Sequence, residues 1–358
     1  MKKLRIHKRL TALTASLVLL FSCVGFSASA EQSNLTPDEQ YIAMMDAIDW
    51  GEYENHIINV QRAQIPDYLL NQMTTEQLVN AVLHYPYLID MMCFDKYSDG
   101  FQTVATNFNG LAELISREDG AQELLERMQE TSVQTQARAV NRDALIQEMY
   151  LDTLLAQPEF LNQFSEKEIT MAADFINNKV EARLQQPQIY STGDAYHFYG
   201  VVNEQIETYS TWTTVKTPAG SDVRVIAWTS DDVDMSAELK LAYRDEILKS
   251  YPTASIMGSA TNKYNCHSYA WYKQSTSNTY NMPDPYHYMN DGSYYKISAL
   301  QLNARIYYKN GPDGPHSGVC YTKSRVYSKW GFKCFVLHKW MNCPYYNAAT
   351  AVSYWKLS

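Results

Sequence analysis

The hydrophobic pattern changes period near residue 190. Before it, apolar residues recur at helical spacing: Leu78, Val79, Val82 and Leu83 follow Thr74-Thr75-Glu76-Gln77, the order of a helix-capping box. Thr36-Pro37-Asp38-Glu39 combines an N-cap threonine, proline at the first helical position and an acid three residues after the cap, and Ser165-Glu166-Lys167-Glu168 repeats the box. Residues 31–189 are therefore expected to be helical throughout. After 190 the period shortens to two. QIETYSTWTTVKT, PAGSD and VRVIAWT read as two strands around a turn, and SAELKLAYRDEILKSYP reads as a helix closed by Pro252. A helix is expected from Cys266 to Gln274. Short strands should follow over Ala304–Lys309, His316–Thr322, Arg325–Trp330, Cys334–His338 and Val352–Leu357. A helix followed by an antiparallel meander makes residues 190–358 an α+β domain.

Composition sharpens this division. Residues 31–189 carry 26 acidic and 9 basic side chains, whereas residues 190–358 carry 13 and 16. Of 28 tyrosines 21 lie from residue 190 onward, as do six of the seven tryptophans. LQQPQIYSTGD, over 184–194, has the composition of a domain edge. The acidic excess reads as a solvated helical surface; the alternatives are that it docks on or masks the slightly basic second half, or that it engages a protein partner. No Gly-rich phosphate loop, paired-carboxylate signature or basic stripe argues for nucleotide, glycosidase or nucleic-acid chemistry.

The first 30 residues carry five Lys/Arg and no acid, then an apolar run from Leu13 to Phe26, then Ala28-Ser29-Ala30. That is the layout of a secretory signal peptide, so residues 1–30 are expected to be removed and the protein to act outside the cytoplasm, secreted or cell-wall associated, with no membrane insertion. A lipoprotein signal ending at Cys23 is the alternative. Five cysteines remain: Cys93, Cys266, Cys320, Cys334 and Cys343. Five is too few for a disulfide-built scaffold and leaves at least one thiol unpaired within the chain. Cys93 and His84, both in apolar surroundings, read as core residues, and His56 is isolated.

The candidate chemistry gathers at KYNCHSYAWY, 263–272. If the helix starts at Cys266, its free backbone N–H groups favour a thiolate and can hold an oxyanion. Asn265 and Tyr264 then stand at the substrate side. His267 is adjacent on the helix and diverges by about 100°, so it is not the base. His316 opens a strand after Gly311-Pro312-Asp313-Gly314-Pro315. Strand alternation puts it on one face with Gly318 and Cys320, the glycine leaving room for a helix or substrate. A third residue that orients the imidazole is sought among Ser328, Lys329, His338 and Asn342, with Ser328 or His338 preferred. The tyrosine-rich loop over 280–295 lines a cleft or is packed down by its own rings.

A cysteine at a helix start, a histidine opening a strand fifty residues later and a polar residue on a following strand resemble the papain-like fold in its NlpC-type form. The strings YNCHSYAW, DGSY, HSGV and SKWG, followed by His338 and Cys343-Pro344-Tyr345, resemble a secreted cysteine-hydrolase family of Gram-positive bacteria, over residues 205–346. The resemblance implies a cysteine peptidase or amidase, or an acyltransferase, acting on peptide or cell-wall peptide through a thioacyl-enzyme, with no cofactor. Asn265 before the cysteine and His267 after it depart from the NlpC pattern of Asp before and Ser-Gly after. Three alternatives stand beside it. Cys266 is half of a disulfide with Cys320, Cys334 or Cys343, or an inert core thiol in a binding module. Alternatively, His316, Cys320, Cys334 and His338 hold a stabilising zinc.

Overall fold

The computed structural model describes residues 35–136, 139–203, 211–230, 232–309 and 315–358. The expected signal peptide, Cys23 and most of the turn before His316 lie outside the described residues. The three predicted caps start helices where the sequence places them, at Pro37–Asp46, Thr75–Leu83 and Glu166–Leu184. In each, the acid or amide at the third helical position turns back to the cap backbone: Glu39 to Thr36 N at 2.8 Å, Gln77 to Thr74 N at 3.0 Å and Glu168 to Ser165 N at 2.8 Å. The described residues include ten strands, with the helices Ala237–Ser250 and Tyr286–Asn290 set among them: β1 (Thr211–Lys216), β2 (Asp222–Ala227), β3 (Ser255–Gly258), β4 (Tyr280–Asn281), β5 (Tyr294–Ile297), β6 (Arg305–Lys309), β7 (His316–Cys320), β8 (Arg325–Lys329), β9 (Phe335–Lys339) and β10 (Ala351–Leu357). Seven of them form an antiparallel sheet in the order β3-β9-β8-β7-β6-β10-β5, and β1-β2-β4 form a second, small sheet. The protein is α+β. The sequence pattern misses β3, β4 and β5, which are two to four residues long and carry too little alternation to read.

Register decides what each face of the large sheet meets. His316 pairs with Tyr308, Gly318 with Ile306, and Cys320 with both Ala304's neighbourhood and Val326. Ile306, Tyr308, Cys320, Val326, Trp330, Cys334 and Val336 belong to one buried cluster with the helices, including Leu78, Cys93, Phe101 and Leu154. The opposite face, through Val319, shares a smaller cluster with Trp271, Tyr288 and Tyr294. Residues Thr36–Ser358 form one compact unit. Past the boundary expected at 189/190 two further short helices, Thr192–Ala195 and His197–Val202, precede the first strand, and the larger core draws on both sides of it. Cys93 is buried as expected; His84 is exposed at a helix C-cap, because its apolar neighbours point inward and it does not. Among the described residues no helix is long and apolar enough to cross a membrane.

Candidate functional site

Asn265 defines the start of the short helix. Its Oδ1 accepts from Ser268 N at 3.1 Å, which caps the helix with Cys266 at the first helical position. The same oxygen accepts from Met282 N at 3.0 Å, while Nδ2 donates to Met282 O at 2.8 Å and to Asp95 Oδ2 at 2.7 Å. Every polar position of the side chain is engaged, so Asn265 clamps the helix and is not free as an oxyanion donor. Beyond His267 the helix widens into a π-helix over Ser268–Tyr272. Trp271 and His267 meet on Ser317: Trp271 Nε1 donates to Ser317 Oγ at 2.8 Å and His267 Nδ1 lies 2.7 Å from it. Asn265→Ala is expected to lower stability by about 2 kcal/mol, from a lost cap and buried backbone groups left unpaired. Thermal unfolding measures it, and a change below about 0.5 kcal/mol, the size of a surface substitution, would reject the clamp.

Cys266 is 2 % exposed and His316 is 1 % exposed. The backbone N–H groups of Ser317 and His267 point at the Cys266 sulfur, which sets the thiol beside the start of β7. Burial pushes the thiol's pKa up, the negative charge of Asp95 adds to this, and the two N–H groups and Lys329 oppose it. His316 is pushed down by burial and by the neighbouring His267 and His338. The resting pair is thus a neutral thiol and a neutral imidazole. Neither ring nitrogen of His316 has a hydrogen-bond partner, Cys266 included. Its ring lies flat on Tyr345, centroids 3.4 Å apart and planes 3° apart, and 5.6 Å from Tyr308.

The candidate third residues are elsewhere engaged. Ser328 Oγ lies 2.7 Å from His338 Nε2 and accepts from Trp330 Nε1 at 3.0 Å, and His338 Nδ1 meets Lys339 O at 2.8 Å. The two preferred residues bind each other, and Tyr345 is what holds the His316 ring. Lys329 is buried and donates to Thr261 O at 3.1 Å, to Gly331 O at 3.0 Å and to Lys333 O, with burial lowering its pKa to about 7. It ties the loop before Cys266 to the β8–β9 turn. Gly318 leaves no room for substrate: a Cβ there would lie 3.0 Å from Tyr327 O and 3.1 Å from Ile306 Cγ2. The neighbouring strands fill that space, because paired strands stand about 5 Å apart. Tyr264 is buried, its ring 5.3 Å from Lys329 Nζ.

Of the aromatics around Cys266, Tyr269 packs on Phe335 at 4.4 Å and Trp271 on Tyr294 at 5.0 Å, while Tyr272 is exposed. Tyr288 and Tyr294 are buried against Trp271, so the tyrosine-rich loop is held down by its own rings. Asp95 and Tyr345 were not singled out in the sequence: no local pattern links either to Cys266. All five cysteines described are free, buried thiols. Among the described residues no three His, Cys, Asp or Glu side chains are grouped to hold a metal ion, so the zinc alternative has no site here. A cavity of about 450 Å³ lies among the helices, lined by Trp50, Tyr85, Arg127, Asp143 and Glu246 and not by Cys266 or His316. Comparison with protein-family models, curated proteins and solved structures finds no match.

Proposed function

We propose that the protein is an exported thiol hydrolase of papain-like, NlpC-type architecture that acts on amide or peptide bonds, with cell-wall stem peptides as its substrate class. One observation carries the reading. A fully buried imidazole with both nitrogens unpartnered belongs to the residue just before Ser317, whose backbone N–H converges with that of His267 on the Cys266 thiol. Buried polar groups are nearly always satisfied, and an unsatisfied one is characteristic of a group held ready for chemistry. His316 takes the thiol proton as Cys266 attacks the carbonyl carbon. The amine leaves with that proton, and water hydrolyses the thioester. Because both groups rest neutral, proton transfer accompanies attack rather than preceding it. A second reading, a non-catalytic secreted module of the same fold, is favoured by the near-complete burial of both side chains.

The test is mass spectrometry of fragments released from purified cell wall. The wild type is expected to release peptide fragments, and Cys266→Ala and His316→Ala to reduce release by about 10³-fold or more. Equal release by wild type and Cys266→Ala, or none by either, rejects the hydrolase and leaves the binding module.

A further inference from the structure

We propose that Asp95, which comes from the helical half of the chain, is a positioning residue of the Cys266 site: it holds the helix start through Asn265 and places a negative charge against the thiol. The role of Cys266 as a nucleophile rests on the hydrolase reading; the contact of Asp95 with Asn265 does not. Asp95 lies between the turn Leu88–Met92 and the helix Tyr97–Asn107, 170 residues before its partner. Its Oδ2 accepts from Asn265 Nδ2 at 2.7 Å, and Asn265 is the cap that sets Cys266 at the first helical position. The residue Asp95 as a whole is exposed, but its carboxylate reaches in to the buried Asn265, and burial there raises its pKa to about 6. The charged and titratable groups around it come from every element packed there: Lys329 on β8, Asp99 on the helix that follows, Tyr345 after β9, and Cys266 itself. Tyr307 on β6 also faces the thiol, and the backbone N–H groups of His267 and Ser317 point at it.

A carboxylate at this place does two separable things. As an acceptor it fixes Asn265, a role that any neutral acceptor of the same shape fills. As a charge it disfavours the thiolate, so that ionisation of Cys266 waits for the base. Asp95→Asn retains the acceptor and removes the charge, whereas Asp95→Ala removes both.

The experiment follows alkylation of Cys266 by iodoacetamide in the full chain between pH 6 and 9, read by mass spectrometry of the peptide that carries it. Cys320 and Cys343 serve as internal controls. For Asp95→Asn the profile is expected to move to lower pH, with faster alkylation of Cys266 throughout the range and unchanged rates at Cys320 and Cys343. Alkylation at pH 7 should be at least about threefold faster than in wild type, the factor for half a unit of thiol acidity. For Asp95→Ala a larger acceleration than for Asp95→Asn is expected across the range, because the helix start is no longer held. Asp95→Ser, a short neutral acceptor, repeats the charge test should the asparagine variant fold poorly. Superimposable profiles for wild type and the neutral variants, or an equal acceleration at Cys320 and Cys343, overturn the proposal. The readout needs no turnover: failure to release cell-wall fragments removes the hydrolase reading and leaves the role of Asp95 to be decided by alkylation.

Discussion

Arg183→Met is expected to destabilise the protein by about 3–5 kcal/mol, the range for breaking a buried ion pair by removing one partner. Arg183 is 1 % exposed and Glu148 is fully buried. The guanidinium binds both Glu148, from Nε at 3.2 Å and Nη2 at 3.1 Å, and Asp152, from Nη1 at 2.5 Å. Tyr190 donates to Glu148 Oε1 at 3.0 Å. Lys179 is buried nearby with its ammonium unpartnered, and burial lowers its pKa. Methionine fills the volume but leaves two carboxylates facing each other with little compensation.

The sign of the pH dependence follows. In the wild type, burial raises Asp152, but the charge and hydrogen bond of Arg183 together with the charge of Lys179 outweigh it, so its pKa sits below the ordinary value. Its contribution to stability is then present above the unfolded pKa and lost as pH falls through the folded one. Without the guanidinium both acids are raised by burial and mutual repulsion. The folded state then binds more protons than the unfolded state, and stability falls as pH rises above about 4, the unfolded value. Urea denaturation of the variant at pH 5, 7 and 8.5 should show a midpoint that decreases with pH. A loss below about 1 kcal/mol at pH 7, or a midpoint that rises with pH, would contradict this account.

Gly331→Ala is expected to destabilise by about 3 kcal/mol, from overpacking and from a left-handed backbone that alanine adopts with strain. Gly331 has φ +49, and a Cβ there would lie 2.6 Å from Cys93 O and 2.7 Å from Phe94 O. Neither carbonyl yields easily, since Tyr345 donates its hydroxyl to Cys93 O and Phe94 packs on Tyr345 at 5.0 Å. On the other side Lys329 holds Gly331 O at 3.0 Å, and Trp330 lies 4.8 Å from Tyr251. The β8–β9 turn is therefore pressed onto the helical half at the residues that also support the His316 ring. Gly220 provides the contrast, with φ +96 and nothing within 4 Å of the added Cβ. Gly220→Ala should show backbone strain alone, about 1 kcal/mol. Thermal unfolding of the two variants separates clash from strain, and equal shifts in Tm would refute the clash.

SKWG illustrates where legibility in the sequence stops. As a string it supports a resemblance and supplies a candidate third residue. In the fold it is mainly a joint: Ser328 binds His338 and Trp330, Lys329 ties two loops, and Gly331 admits the helical half. The same limit applies to Gly318, which sequence reasoning treats as space and the neighbouring strands fill.

Much of what the chain declares locally holds in the structure, short strands excepted. The three capping boxes, the strands over β6 to β10 and the helix beginning at Cys266 follow from residues within four positions of one another, and interactions that close over one turn or one strand pair survive in any tertiary context. The α+β class follows from that period change alone. The tertiary structure decided the rest: that Asp95 reaches Asn265 across 170 residues, that Tyr345 and not Ser328 or His338 supports His316, and that one core serves both halves. These contacts depend on which faces meet, and a period of 3.6 or 2 says which side of an element is apolar without saying what covers it.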